Sequence, residues 1–174
     1  MVSTTITDGN VYLFDGVVSS DNIIEANANE AVTIHAAKID YDIQNEIGSY
    51  KKLVSRGDVG TKEPENKVRD TKKIEKVISV QGYLADEASE SATQKRNNII
   101  SLMENKGALG LVWGTYGLSG RYQTLFNTST KKVSVSKVKF TETAGMYADE
   151  DVTVESPPER KIDIQIQFVV GSSI

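Results

Sequence analysis

With 174 residues the chain is long enough for one domain with a sizeable core and short for two, so a single domain spanning 1–174 is expected. Its 20 Lys and Arg against 24 Asp and Glu leave a formal charge of −4, which excludes the broad basic field that non-specific nucleic-acid binding needs. There are no cysteines, and this removes disulfide frameworks, thiolate metal sites and cysteine nucleophiles together.

Met1 to Asp8 has neither a basic flank nor an apolar core, and nowhere do about 18 apolar residues run together. The expectation is a soluble protein, or one delivered by assembly, with no membrane partner. Asn10 to Gly16 is the first predicted strand, bracketed by the turn pairs Asp8-Gly9 and Asp15-Gly16. Ser19 to Asn29 has no clean periodicity and reads as loop. Ala31 to Ala36 alternates with even numbers inward, whereas Ile39, Tyr41 and Ile43 alternate on odd numbers. Keeping one face buried through that change needs an extra residue between Ala36 and Ile39, and a β-bulge supplies it.

Residues 49–73 are polar, with Lys51, Lys52, Arg56, Lys62, Lys67, Arg69, Lys72 and Lys73 among a few carboxylates. The stretch cannot form a packed core alone, and reads as a long loop, either a solvated excursion or an arm that orders against a neighbouring subunit. Its net positive balance beside an acidic remainder favours the arm. Ile74 to Leu84 then alternates Ile78, Val80, Gly82 and Leu84 against Ser79, Gln81 and Tyr83, the pattern of a half-buried strand. Ser91 and Gln94 have the spacing of a helix-capping pair. A helix is predicted from there to Lys106-Gly107, with Ile99, Leu102 and Met103 buried and Lys95, Arg96, Asn98 and Glu104 in water.

Gly107 to Gly114 is a short apolar run carrying the only tryptophan, Trp113, and reads as a strand. The glycine-rich segment 115–120 turns it back into Arg121 to Phe126 as a hairpin. Lys131 to Thr143 repeats the phase slip, with Val133 and Val135 odd and Val138 and Phe140 even, so a second bulge is predicted at Ser136-Lys137. Two bent strands imply a strongly curved sheet. After an acidic loop over 144–158, Lys161 to Val170 alternates without interruption and is expected inside a sheet, not at its margin.

Chemistry is sparse. His35 is the only histidine, with no nucleophile at a recognisable spacing, and a structural role is the stronger reading. Gly114, Gly117 and Gly120 lack the Lys-Ser or Lys-Thr of a phosphate loop, Asp149 to Asp151 lacks the oxygen spacing of a calcium loop, and Asn127-Thr128-Ser129 is a tripeptide common by chance. No catalytic residue, metal ligand or cofactor site is assigned, and an enzyme is not expected.

The ordered set of a strand ending Gly82-Tyr83-Leu84, a helix with Arg96 and Leu102, an aromatic strand at Trp113, a hairpin and a final alternating strand resembles the tail-tube and distal-tail (baseplate ring) proteins of tailed viruses and contractile injection systems. The likeness covers about the latter 100 residues and is one of element order. It implies a mainly β (α+β) fold, a curved β-sandwich or barrel with one flanking helix. It further implies a homo-oligomeric, usually hexameric ring stacked into a hollow tube in a virion tail made in the host cytoplasm. Other tail proteins such as sheath or baseplate would be partners, and DNA would pass an acidic lumen without specific binding. On this reading the eight basic residues of 49–73 form a subunit interface. The expectation from another class is a monomeric β-sandwich that binds a glycan or peptide, with Trp113, Tyr116 and Tyr122 around the hairpin as ligand platform.

Overall fold

The computed structural model describes residues 2–25, 31–51, 66–105, 108–115, 122–125, 133–142 and 161–171, with backbone alone for 45–51 and 66–74. Ten strands and one helix are defined among them: β1 Val2–Thr5, β2 Asn10–Phe14, β3 Gly16–Ser19, β4 Asn22–Glu25, β5 Val32–Lys51, β6 Asn66–Ala85, α1 Ala92–Asn105, β7 Gly110–Gly114, β8 Tyr122–Thr124, β9 Val133–Thr141 and β10 Lys161–Val170. They form two antiparallel sheets, one of seven strands in the order β8-β7-β2-β5-β6-β10-β9 and one of three in the order β1-β4-β3. The protein is mainly β, as expected. Of the sandwich and the barrel, no closed barrel forms among the described residues.

The large sheet curls because two strands carry an extra residue. The pairing of β5 with β6 shifts between Ala36 and Lys38, which leaves Ala37 as the bulged residue. The pairing of β10 with β9 shifts at Gln167/Phe168, opposite Ser136. Both bulges lie where the phase of the apolar pattern slips, and each bends its strand. Gly82 sits beside the first of them. A Cβ there would stand 2.1 Å from the His35 carbonyl oxygen, so only glycine lets β5 approach this closely. The curl brings the sheet's two flanks into contact at a single bridge, where Leu109 N–H donates to Val133 O at 2.8 Å and Val133 N–H returns the bond at 3.1 Å.

The helix lies against one face of this curl. Ser91 Oγ accepts from Gln94 N–H at 3.2 Å and Gln94 Oε1 accepts from Ser91 N–H at 2.8 Å, the reciprocal pair that starts the helix. Ala92, Ile99 and Leu102 then meet Ile34, Ile78, Leu84, Ile164 and Phe168 in the main core. Two helix expectations are corrected: Lys95 is 1 % exposed and Met103 is 40 % exposed. Positions 92, 95, 99 and 102 share a face at 3.6 residues per turn, and Lys95 lies on that face because its ammonium reaches a carboxylate at the rim.

Among the described residues the opposite face is covered around β2 and β7. Tyr12, Phe14 and Val112 pack there with Ile6, Ile23 and Ala31 of the region around the small sheet. Tyr12 Oη, buried, accepts from Thr7 N–H at 2.9 Å and lies 2.7 Å from Thr7 Oγ1, which satisfies its polar end. Both faces of β2 are therefore buried, and its run Val11-Tyr12-Leu13-Phe14 is continuously apolar for that reason. The expected loop over 19–29 is also corrected as far as Glu25, residues 26–29 lying outside the described ones. β3 and β4 form a hairpin through Ser20 (φ 44°) and Asp21 (φ 61°), the left-handed pair that a two-residue turn demands. The usual Asn-Gly or Asp-Gly signal is absent, so the hairpin was not legible. β10 lies between β6 and β9 with Ile162, Ile164, Ile166 and Phe168 buried, as its alternation predicts.

Candidate functional site

β5 and β6 are 20 residues each, far longer than the core they cross. Their ladder starts at His35 opposite Tyr83 and continues to Lys51 opposite Asn66. Near the core the shared inward face is buried, with Ile34 and Ile78 at 0 % exposure. Past the Ala37 bulge, Ile39 is only partly covered, Tyr41 is 46 % exposed and Ile43 is 58 % exposed. Tyr41 still shares a rung with Ile78 and, through it, Phe168; beyond Val77 the pair leaves the sheet as a two-stranded ribbon whose first apolar residue is Ile43. Burial holds the Tyr41 phenol above its ordinary pKa of 10.

The expected loop 49–73 is ribbon at both its ends. Lys51 closes β5, Lys67 pairs with Tyr50 and Arg69 pairs with Gly48. A second irregularity sets Glu46 against Thr71, Lys72 and Lys73, between the pairs Asn45–Ile74 and Ile47–Asp70. A ladder satisfies its own backbone groups, so the ribbon needs no core once its base is anchored. Lys52, Arg56 and Lys62 lie outside the described residues. So do Tyr116, the helix end at Lys106-Gly107, the turn 116–120, Asn127 to Ser129 and the acidic stretch 144–158.

Comparison with known proteins finds no matching family model and no matching curated relative.

The hairpin platform divides across the sheet. Trp113 packs against the main core, whereas Tyr122 packs against the second cluster on the other face. The register gives the reason, since Trp113 pairs with Gln123 and Tyr122 with Gly114, and neighbours along a strand point oppositely. Trp113 and Tyr122 do not look onto one surface.

His35 stacks on Tyr83 with ring centroids 4.9 Å apart, and its Nε2 lies 3.2 Å from Glu87 Oε1. The same oxygen is 2.7 Å from Lys95 Nζ, and Lys161 Nζ stands 5.4 Å from the Tyr83 ring centre. The Lys95 contact is a close ion pair and not a well-directed hydrogen bond. This cluster ties the connection between β6 and α1 to both the sheet and the helix. At the other side of the helix Arg96 pairs with Glu142, just past β9. Among the described residues no group of three or more metal-binding side chains gathers, and no helix is long and apolar enough to cross a membrane.

Proposed function

We propose that this chain is a non-enzymatic structural subunit of a viral tail tube or baseplate-type ring, in which copies join through the β5–β6 ribbon and the sheet margins and stack into a hollow tube. The observation that carries the reading is the inward face of β5 where it leaves the sheet, half exposed at Tyr41 on one of the last rungs and more exposed at Ile43 just beyond. A solvated excursion has no need of apolar residues kept in phase with a core it has left, whereas a ribbon that seats on another copy does.

Charge supports the same partner. Residues 49–73 hold eight Lys and Arg against four Asp and Glu, net +4, so the rest of the chain carries −8. A basic arm and an acidic body attract between copies and orient the encounter. Sheath or baseplate proteins would complete the assembly, and the acidic balance of the body would keep DNA from adhering along a channel.

The test is the mass of the purified protein by light scattering together with negative-stain imaging. Discrete rings or stacks are expected, and a Tyr41→Asp, Ile43→Asp double variant is expected to keep the wild-type circular dichroism and melting curve while running as a monomer. A wild-type protein that stays monomeric at high concentration would overturn the reading.

A further inference from the structure

Beyond the small sheet, the face of β5, β6, β10 and β9 that turns away from the helix has no apolar cover among the described residues, and the pairing arranges its side chains in rows. One row is Lys38, Gln81, Gln165 and Lys139; the next is Asp40, Ser79, Gln167 and Lys137. Lys38 is taken up by Asp40 at 2.8 Å. The remaining six side chains border an open groove of about 340 Å³ floored by the backbone of β6 and β10. Among the described residues the amides of Gln81, Gln165 and Gln167, the Ser79 hydroxyl and the Lys137 and Lys139 ammonium groups make no hydrogen bond or ion pair with one another or with other side chains.

The two lysines are there because of the Ser136 bulge. Without the extra residue, the phase of Val133 and Val135 would turn Lys137 and Lys139 into the core and Val138 and Phe140 into water. Ser136 Oγ donates to Gln167 O at 3.1 Å and holds the bulge in place. Bulges re-aim side chains where a surface has a task.

We propose that this groove binds an acidic oligosaccharide, a hydroxyl-rich chain carrying carboxylates. Each primary amide offers a donor and an acceptor side by side, which suits neighbouring sugar hydroxyls. The ammonium groups, two residues apart on one strand and so about 6.7 Å apart at their Cα atoms, suit carboxylates. The volume falls at the small end of ordinary ligand sites, roughly 300–1,000 Å³. A polynucleotide fits less well, because no aromatic ring lines the groove to stack a base. The inference does not depend on ring assembly.

Isothermal titration of the full chain with tetragalacturonate, with neutral cellotetraose and with a ten-residue thymidine oligonucleotide tests it, alongside amide chemical shifts. Saturable binding of tetragalacturonate is expected, weakening with salt, with shifts confined to β6, β9 and β10. A Lys137→Gln, Lys139→Gln variant, changed only at exposed positions, is expected to bind about tenfold more weakly, the loss of one or two charge-assisted hydrogen bonds. Four results would each overturn the proposal: no saturable binding, equal affinity for cellotetraose, tighter binding of the oligonucleotide, or an unchanged affinity in the double variant. Each can be read whether or not the protein forms rings.

Discussion

Near its start β5 lays Val32 and Ile34 into the core with no exposed area, whereas on the same face beyond the bulge Tyr41 and Ile43 are about half exposed. Both segments turn the same face inward across the bulge, though the first pairs with β2 and the second with β6. What differs is the cover, since α1 packs over the first segment and no described element covers the second. Periodicity in a strand therefore reports which way side chains point and leaves open what meets them. An apolar stripe that outlasts its own core suits another surface, and that is the basis for the proposal that the ribbon seats on a neighbouring copy.

The comparison can be broken most directly by truncating one residue from each segment. Ile34→Ala is expected to destabilise the fold by about 3 kcal/mol and Ile43→Ala by less than about 0.5 kcal/mol, measured by urea unfolding of the monomer. Equal losses would mean that the ribbon folds back on the body. At the junction between the two segments, Gly82→Ala should cost about 2 kcal/mol, because the added methyl meets a backbone carbonyl that cannot move without undoing the bulge.

The helix that distinguishes the two ends offers smaller effects. Lys95→Ala is expected to cost about 1.5 kcal/mol through lost packing of its stem, while Lys95→Met, which keeps the stem and lets Glu87 resolvate, should be close to neutral in thermal unfolding. Ser91→Ala removes the cap and should cost about 1 kcal/mol, with Ser91→Asp restoring most of it. The smallest effect is on pH dependence. The Tyr41 phenol ionises later in the folded state than in the unfolded chain, so its contribution is absent well below pH 10 and stability falls slightly as pH rises past that value. Ultraviolet titration of Tyr41→Phe should lack a late-ionising tyrosine that the parent protein shows, and assembly should delay it further.

Several features were legible because their signals are local. The Ser91–Gln94 cap lies within four residues, both bulges are announced by a change of phase within one strand, and Lys161 to Val170 alternates over ten residues. Others depend on partners remote in the chain. β1 is four residues of Val, Ser and Thr that form a strand only because β4 lies alongside. Trp113 and Tyr122 are close in sequence, yet strand pairing sends them to opposite faces. Lys95 falls on the buried face by helical period, but its charge argues for water until Glu87 is placed beside it. The polar groove was half legible: the wet face of the last strand could be read, while its alignment with Gln81 and the two lysines of β9 could not.

By itself, the order of residues determined which segments are extended, where each bends, where the helix begins and the absence of thiol chemistry, since all of these follow from neighbours a few bonds away or from composition. Tertiary structure alone decided that β5 outruns its core, that Lys95 is buried and Met103 is not, and that lysines and glutamines from three separate strands border one groove. Those outcomes turn on which elements pack over which faces, and packing is settled by contacts between segments tens of residues apart that no local pattern encodes.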